Sequence, residues 1–224
     1  MKWIALLQVS DMDSIDHLRE SMSEIDTILA YASHNTVDIE KYQLFNKIAV
    51  VLLSTKFEVF IEEFIDEHSL KTIQGHTNTT LPIALKNAYI DTAVEKTGNV
   101  KSRTDKNTYL QSLLKLMAND GASISGVANI RPSVKFNYGK HGQKEIEAMF
   151  NRHGMGMFIK TPQAQYCLAM LNSLIAIRNN VIHQDASPGL THQTIEDHKN
   201  NVMAFVNLVE ADVNANKAMY YNEM

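Results

Sequence analysis

Between about Ile39 and His68 the chain reads as one long helix whose middle, Ile48-Ala49-Val50-Val51-Leu52-Leu53, is apolar around its whole circumference. A helix without a polar face must be surrounded by protein, so the remaining segments are expected to pack about it as the central, buried element. Ile15, Leu18, Met22, Ile25 and Leu29 recur at three and four residues and predict an amphipathic helix over roughly 13–33, with Asp and Ser available as its cap. Thr72 to Thr80 reads as a loop, after which Pro82 opens a helix that ends near Gly98. A shorter helix is expected over 105–118, another near 143–152, and a final one from about Thr191 into the 210s. Between them, Thr161-Pro162 supplies cap and first turn for a strongly apolar helix running past Ile175. No segment alternates with period two between hairpin turns. The expected fold is therefore all-α, a bundle of about six to seven helices forming one domain over 1–224, with about 71–160 an inserted helical and loop segment.

The connection from Asn119 to about Gly142 is longer than a compact domain usually spends without purpose, which makes it a candidate substrate loop. A length of 224 residues with 45% hydrophobic content allows a full core without covalent staples. The one cysteine, Cys167, lies inside an apolar helix, so neither a disulfide framework nor a thiolate metal cluster is expected, and a reducing cytoplasm fits. The apolar run Trp3 to Val9 is too short for a membrane span or a secretion signal. The nine histidines show no H-E-x-x-H or similar ligand spacing. Gly-rich phosphate loops and nucleophile elbows are absent too, so no metal and no cofactor is expected.

Chemistry gathers instead at Arg178-Asn179-Asn180-Val181-Ile182-His183. Leu171, Leu174, Ile175 and Ile182 share a helical face with Arg178, which puts the guanidinium on the core-facing stripe, where a charge is costly unless paired. Asn179 and His183 stand four apart on one face. Arg178 and His183 lie roughly 140° apart around an ideal helix, so one copy aims both at one atom only if the helix unwinds near His183. The alternative is a second copy of the motif across a two-fold axis, which predicts a dimer. Glu58 lies on an apolar stripe of the central helix with Val51, Ile61 and Ile65, and a buried carboxylate wants a cation. It either holds Arg178 by hydrogen bonding or caps a backbone group or reaches solvent. The structural alternative for the motif is an arginine that locks the bundle and a histidine on the last helical carbonyls.

An arginine followed directly by Asn, with a histidine about a turn further on, resembles the motif of the HEPN superfamily. Phe136-Asn137-Tyr138-Gly139-Lys140 followed by Lys144 to Phe150 looks like the stretch before the motif helix in RiboL-PSP-type HEPN proteins, and Phe57 to Phe64 is similar to their early long helix. The resemblance extends from about Tyr42 to Val213. It implies a helical bundle and a metal-independent endoribonuclease, in which the ribose 2′-hydroxyl attacks and a 2′,3′-cyclic phosphate is left. Arg178, Asn179 and His183 would be its catalytic residues, with Glu58 in support. It also implies a toxin-like or anti-phage role, acting on RNA as a homodimer under the control of an antitoxin or sensor protein. A catalytically silent dimerisation or partner-binding module is the rival, and a nucleotide-handling accessory domain a further one.

A net charge of −4 argues against binding RNA by bulk electrostatics. Local contact is expected from the basic stretch 131–160, where Arg131, Lys135, Tyr138, Lys140, Lys144 and Arg152 are candidate RNA-binding residues, with Phe136, His141 and His153 interleaved. The plain alternative is a solvated loop and helix face.

Overall fold

The computed structural model describes residues 12–136, 142–184 and 189–222. Nine α-helices occur among them: α1 (Asp13–His34), α2 (Ile39–Gly75), α3 (Ile83–Asn99), α4 (Arg103–Met117), α5 (Gln143–Arg152), α6 (Gly156–Ile159), α7 (Pro162–Gln184), α8 (His192–Ala215) and α9 (Lys217–Tyr221). Seven exceed two turns, in line with an all-α bundle, and the two short ones were not foreseen. No helix of the described residues is long and apolar enough to cross a membrane.

α2 is the hub, touching α1, α5, α7, α8 and α9. Phe57, Phe60, Phe64 and Ile61 from its middle join Leu168, Leu171 and Leu174 of α7 and Val202, Phe205 and Val209 of α8 in one apolar core. The expected insert over 71–160 divides between two cores. Ile73, Leu81, Leu85, Tyr89, Leu116, Ile124, Val127 and Ile130 build a smaller second core around α3, α4 and a 3-10 turn (Ser125–Ile130). Ile146, Phe150, Phe158 and Ile159 belong to the main one.

Several local expectations change. α2 runs on through Gly75 instead of giving way to a loop at Thr72, because Thr72 and Ile73 are buried and Thr72 bonds back to the His68 carbonyl. Gly75 is required there: a Cβ at this position would lie 1.9 Å from the Tyr221 carbonyl oxygen, so α9 packs directly on the backbone. α1 has no side-chain cap of its own. Its first amides, on Asp13 and Ser14, donate instead to the Glu67 carboxylate of α2 at 3.1 Å each, and so gain partners that helix ends otherwise lack. The connection after Asn119 is not an open substrate loop through its first half, since Ile124, Val127 and Ile130 are buried. The all-round apolarity of α2 is only partly covered. Ala49, Val50 and Leu53 are buried, whereas Ile48 and Val59 are 43% and 45% exposed.

Candidate active site

α7 remains helical through Gln184, so the unwinding near His183 that one copy would need is not present. The helix starts with the expected cap, Thr161 Oγ1 accepting from the Ala164 amide at 3.3 Å. Toward its end the core face is carried by Leu171, Leu174 and then Val181, which packs against the main core, while Ile182 is 44% exposed. The stripe thus passes through Val181 and not Ile182, and Arg178 sits half-buried at its edge. His183 is exposed.

One Arg178 terminal nitrogen donates to Asn179 Oδ1 at 2.9 Å. On an ideal helix Asn179 stands about 100° from Arg178 and about 40° from His183, so this bond draws the guanidinium toward the face that carries the imidazole. Asn179 thus holds the Arg178 fork through its side-chain oxygen. Arg178 Nε is buried without a partner among the described residues, leaving donor capacity unspent in an aprotic setting where it is costly.

Of the readings open for Glu58, the pairing with Arg178 is not formed. Glu58 is half-buried and accepts from Ser54 Oγ at 3.4 Å. Val181 shares a groove with Val51, which sets the motif end of α7 beside the part of α2 about 10 Å before Glu58 along the axis, and Asn179 offers Arg178 a nearer acceptor. That groove has a volume of about 380 Å³ and is lined by Lys47, Ile48, Val51, Leu52, Thr55 and Val181.

Three residues at the start of α2, not singled out from the sequence, anchor the chain just beyond the motif. Gln43 Nε2 and Asn46 Nδ2 both donate to the Leu190 carbonyl, at 3.2 and 2.9 Å. The Tyr42 hydroxyl accepts from the His192 amide at 3.1 Å and meets the ring Nδ1 of the same residue at 3.1 Å. Asn46 is fully buried. An amide set between Phe45 and Ile48 on an apolar helix was the available signal, since such a group is buried only with partners.

The basic stretch is only partly free. Arg131 pairs with Asp66 at 2.7 Å, and Lys135 with Glu62, which also accepts from the Phe136 amide at 2.9 Å. The Glu62 hydrogen bond holds the Lys135 ammonium above the usual lysine range. Lys144 and Arg152 are exposed and have no ion pair among the described residues. Tyr138, Lys140 and His141 lie outside the described residues. His153 is not a surface contact: it is 1% exposed, its Nδ1 lies 2.7 Å from Ser69 Oγ, and burial lowers its pKa to about 4. Among the described residues no three His, Cys, Asp or Glu side chains come together as a metal site.

The family model described as RiboL-PSP-HEPN matches residues 16–215. No curated protein and no solved structure matches the chain.

Proposed function

Because the chain belongs to the RiboL-PSP-type HEPN family, we propose that it is a metal-independent endoribonuclease acting as a homodimer, with the α7 motif as its catalytic centre. The 2′-hydroxyl of the nucleotide before the scissile bond attacks the adjacent phosphorus. The bond to the 5′-oxygen breaks, and a 2′,3′-cyclic phosphate and a free 5′-hydroxyl remain. His183 takes the 2′-hydroxyl proton or gives one to the departing 5′-oxygen, work suited to an imidazole at neutral pH. Arg178 places its planar fork of donors on the phosphorane oxygens as charge gathers there. Asn179 keeps that fork turned toward the imidazole.

The observation that carries this reading is the geometry of α7. Its unbroken helix keeps Arg178 and His183 on different faces, while among the described residues the guanidinium meets no carboxylate and retains a buried donor without a partner. A second copy resolves both points, since two arginines and two histidines then line one cleft. The apolar groove beside Val181, with Ile48 and Ile182 more than 40% exposed, gives that copy a surface to cover. The same groove also supports a catalytically silent homodimer, which differs in leaving RNA intact. A nuclease of this kind harms its own cell, so the chain acts as a toxin-like or anti-phage effector held in check by an antitoxin or sensor protein. It works in the cytoplasm, where its single buried Cys167 stays reduced.

The test is incubation of wild type and Arg178→Ala with tRNA and mRNA in EDTA, with mapping of the 3′ ends. Cyclic-phosphate termini made by the wild type and missing with the variant support the reading. Intact RNA, or equal cleavage by both, rejects it.

A further inference from the structure

Beyond the motif, one cleft lies between α5 and the extended segment that precedes the undescribed residues 137–141. Glu145, Ala148, Met149 and Arg152 follow one another at helical spacing along a single face of α5 and form one wall, and Ser133, Lys135 and Phe136 form the other. The volume is about 190 Å³, room for one planar ring system and too little for a folded element. Phe136 and Met149 are half-buried against the main core and supply an apolar floor.

Charge gives the cleft a direction. Arg152 stands at one end, exposed and without an ion pair among the described residues. Glu145 stands two turns away at the other, its carboxylate beside Gly142. The Lys135 ammonium is largely balanced by Glu62, so among the described lining residues Arg152 is the cation left to meet an anion. The Arg152 charge also adds, after burial, to lowering the pKa of its buried neighbour His153. An anion is therefore drawn to the Arg152 end and repelled from the Glu145 end, where groups with N–H or O–H to donate are favoured instead.

We propose that this cleft is a nucleotide subsite: it takes one nucleotide of an RNA strand, with the base on Phe136 and Met149, the phosphate on Arg152, and Glu145 accepting from the base or ribose. An aromatic floor accepts any base face, and a guanidinium suits phosphate oxygens. The inference rests on the ribonuclease reading for its substrate and extends it by a second point of contact. The two sites are within one strand's reach. α5 begins where Gly142 meets Asn172 Oδ1 of α7, and Asn172 lies about 9 Å along the helix from Arg178.

The experiment is calorimetric titration of the full chain with 5′-AMP, 5′-UMP, adenosine and inorganic phosphate, beside RNA cleavage by the same preparations. Arg152→Ala removes the phosphate partner, and Ala148→Phe fills the cleft from an exposed position that the core does not need. The wild type is expected to bind mononucleotides at least tenfold more tightly than adenosine or phosphate alone, and each variant to lose that advantage and shift the pattern of cut sites. Inorganic phosphate binding as tightly as 5′-AMP, or mononucleotide binding indifferent to both substitutions, overturns the proposal. If the wild type cleaves RNA and both variants cut at the same positions and rates, the subsite fails while the ribonuclease reading stands. If no preparation cleaves RNA but 5′-AMP binds in an Arg152-dependent way, the nucleotide site stands and the ribonuclease reading fails.

Discussion

His183 and Arg178 differ in burial, so their substitutions separate chemistry from stability. His183 is exposed and makes no hydrogen bond among the described residues, so His183→Ala is expected to lower cleavage by roughly 10²–10⁴-fold with an unchanged melting temperature. Arg178→Lys keeps the charge and loses the fork, and is expected to recover little of the activity lost in Arg178→Ala, because a point charge cannot replace two directed donors. Initial rates beside thermal melts check both. A different pair of residues sets the acid limit. His68 and His153 are buried, and desolvation lowers their pKa values to about 3 and about 4 from 6.5. The unfolded chain therefore binds more protons than the folded one below pH 6.5. Stability is complete above that value and falls as the pH drops toward 4, and further toward 3 for His68. The loss is on the order of a few kcal/mol, visible as a falling denaturant midpoint, and a flat midpoint from pH 7 to 4.5 would contradict it. At this scale the motif was legible because Arg178, Asn179 and His183 are polar on an apolar helix. The partner of Arg178 was not, since Asn179 is its chain neighbour and helical spacing says nothing of side-chain bonds between adjacent residues.

Among the elements, α2 holds the backbone at Leu190, beyond α7, through Gln43 and Asn46. Asn46→Ala leaves the buried Leu190 carbonyl with one donor fewer, which is expected to cost about 1–3 kcal/mol and to slow cleavage further by loosening the anchor beyond His183. Equal loss of activity and of folded fraction would make Asn46 purely structural. Gly75→Ala forces α9 away from α2, with an expected loss of about 1–3 kcal/mol in melts. The long amphipathic helices were readable because apolar spacing and caps such as Thr161 and Thr191 agree. The last two turns of α2, the short α9 and the 3-10 turn were not. Their residues are buried by distant parts of the chain, as in the bond between His76 Nε2 and the Tyr220 carbonyl at 3.1 Å, and no local pattern records such contacts.

For the whole molecule, the two apolar cores explain why the middle of the chain was the least legible region. The second core around Tyr89 and Leu116 is built from short runs that carry weak periodicity on their own. The central helix was legible as a hub, yet its apolar circumference exceeds what one chain covers. Ile48 and Val59 stay exposed, Ile48 next to the motif end of α7 and Val59 beside α1. A second subunit over the part nearest Val181 would join the excess apolar surface and the divided motif in one explanation. Subunit mixing tests this most directly. Arg178→Ala and His183→Ala proteins, each inactive alone, are unfolded together, refolded as a mixture and assayed on RNA in EDTA. Partial return of cyclic-phosphate cleavage in the mixture is the expected result, because a mixed dimer pairs the intact arginine of one subunit with the intact histidine of the other. A mixture as inactive as its parts, while wild type refolded in the same way cleaves normally, would contradict a catalytic centre shared between subunits.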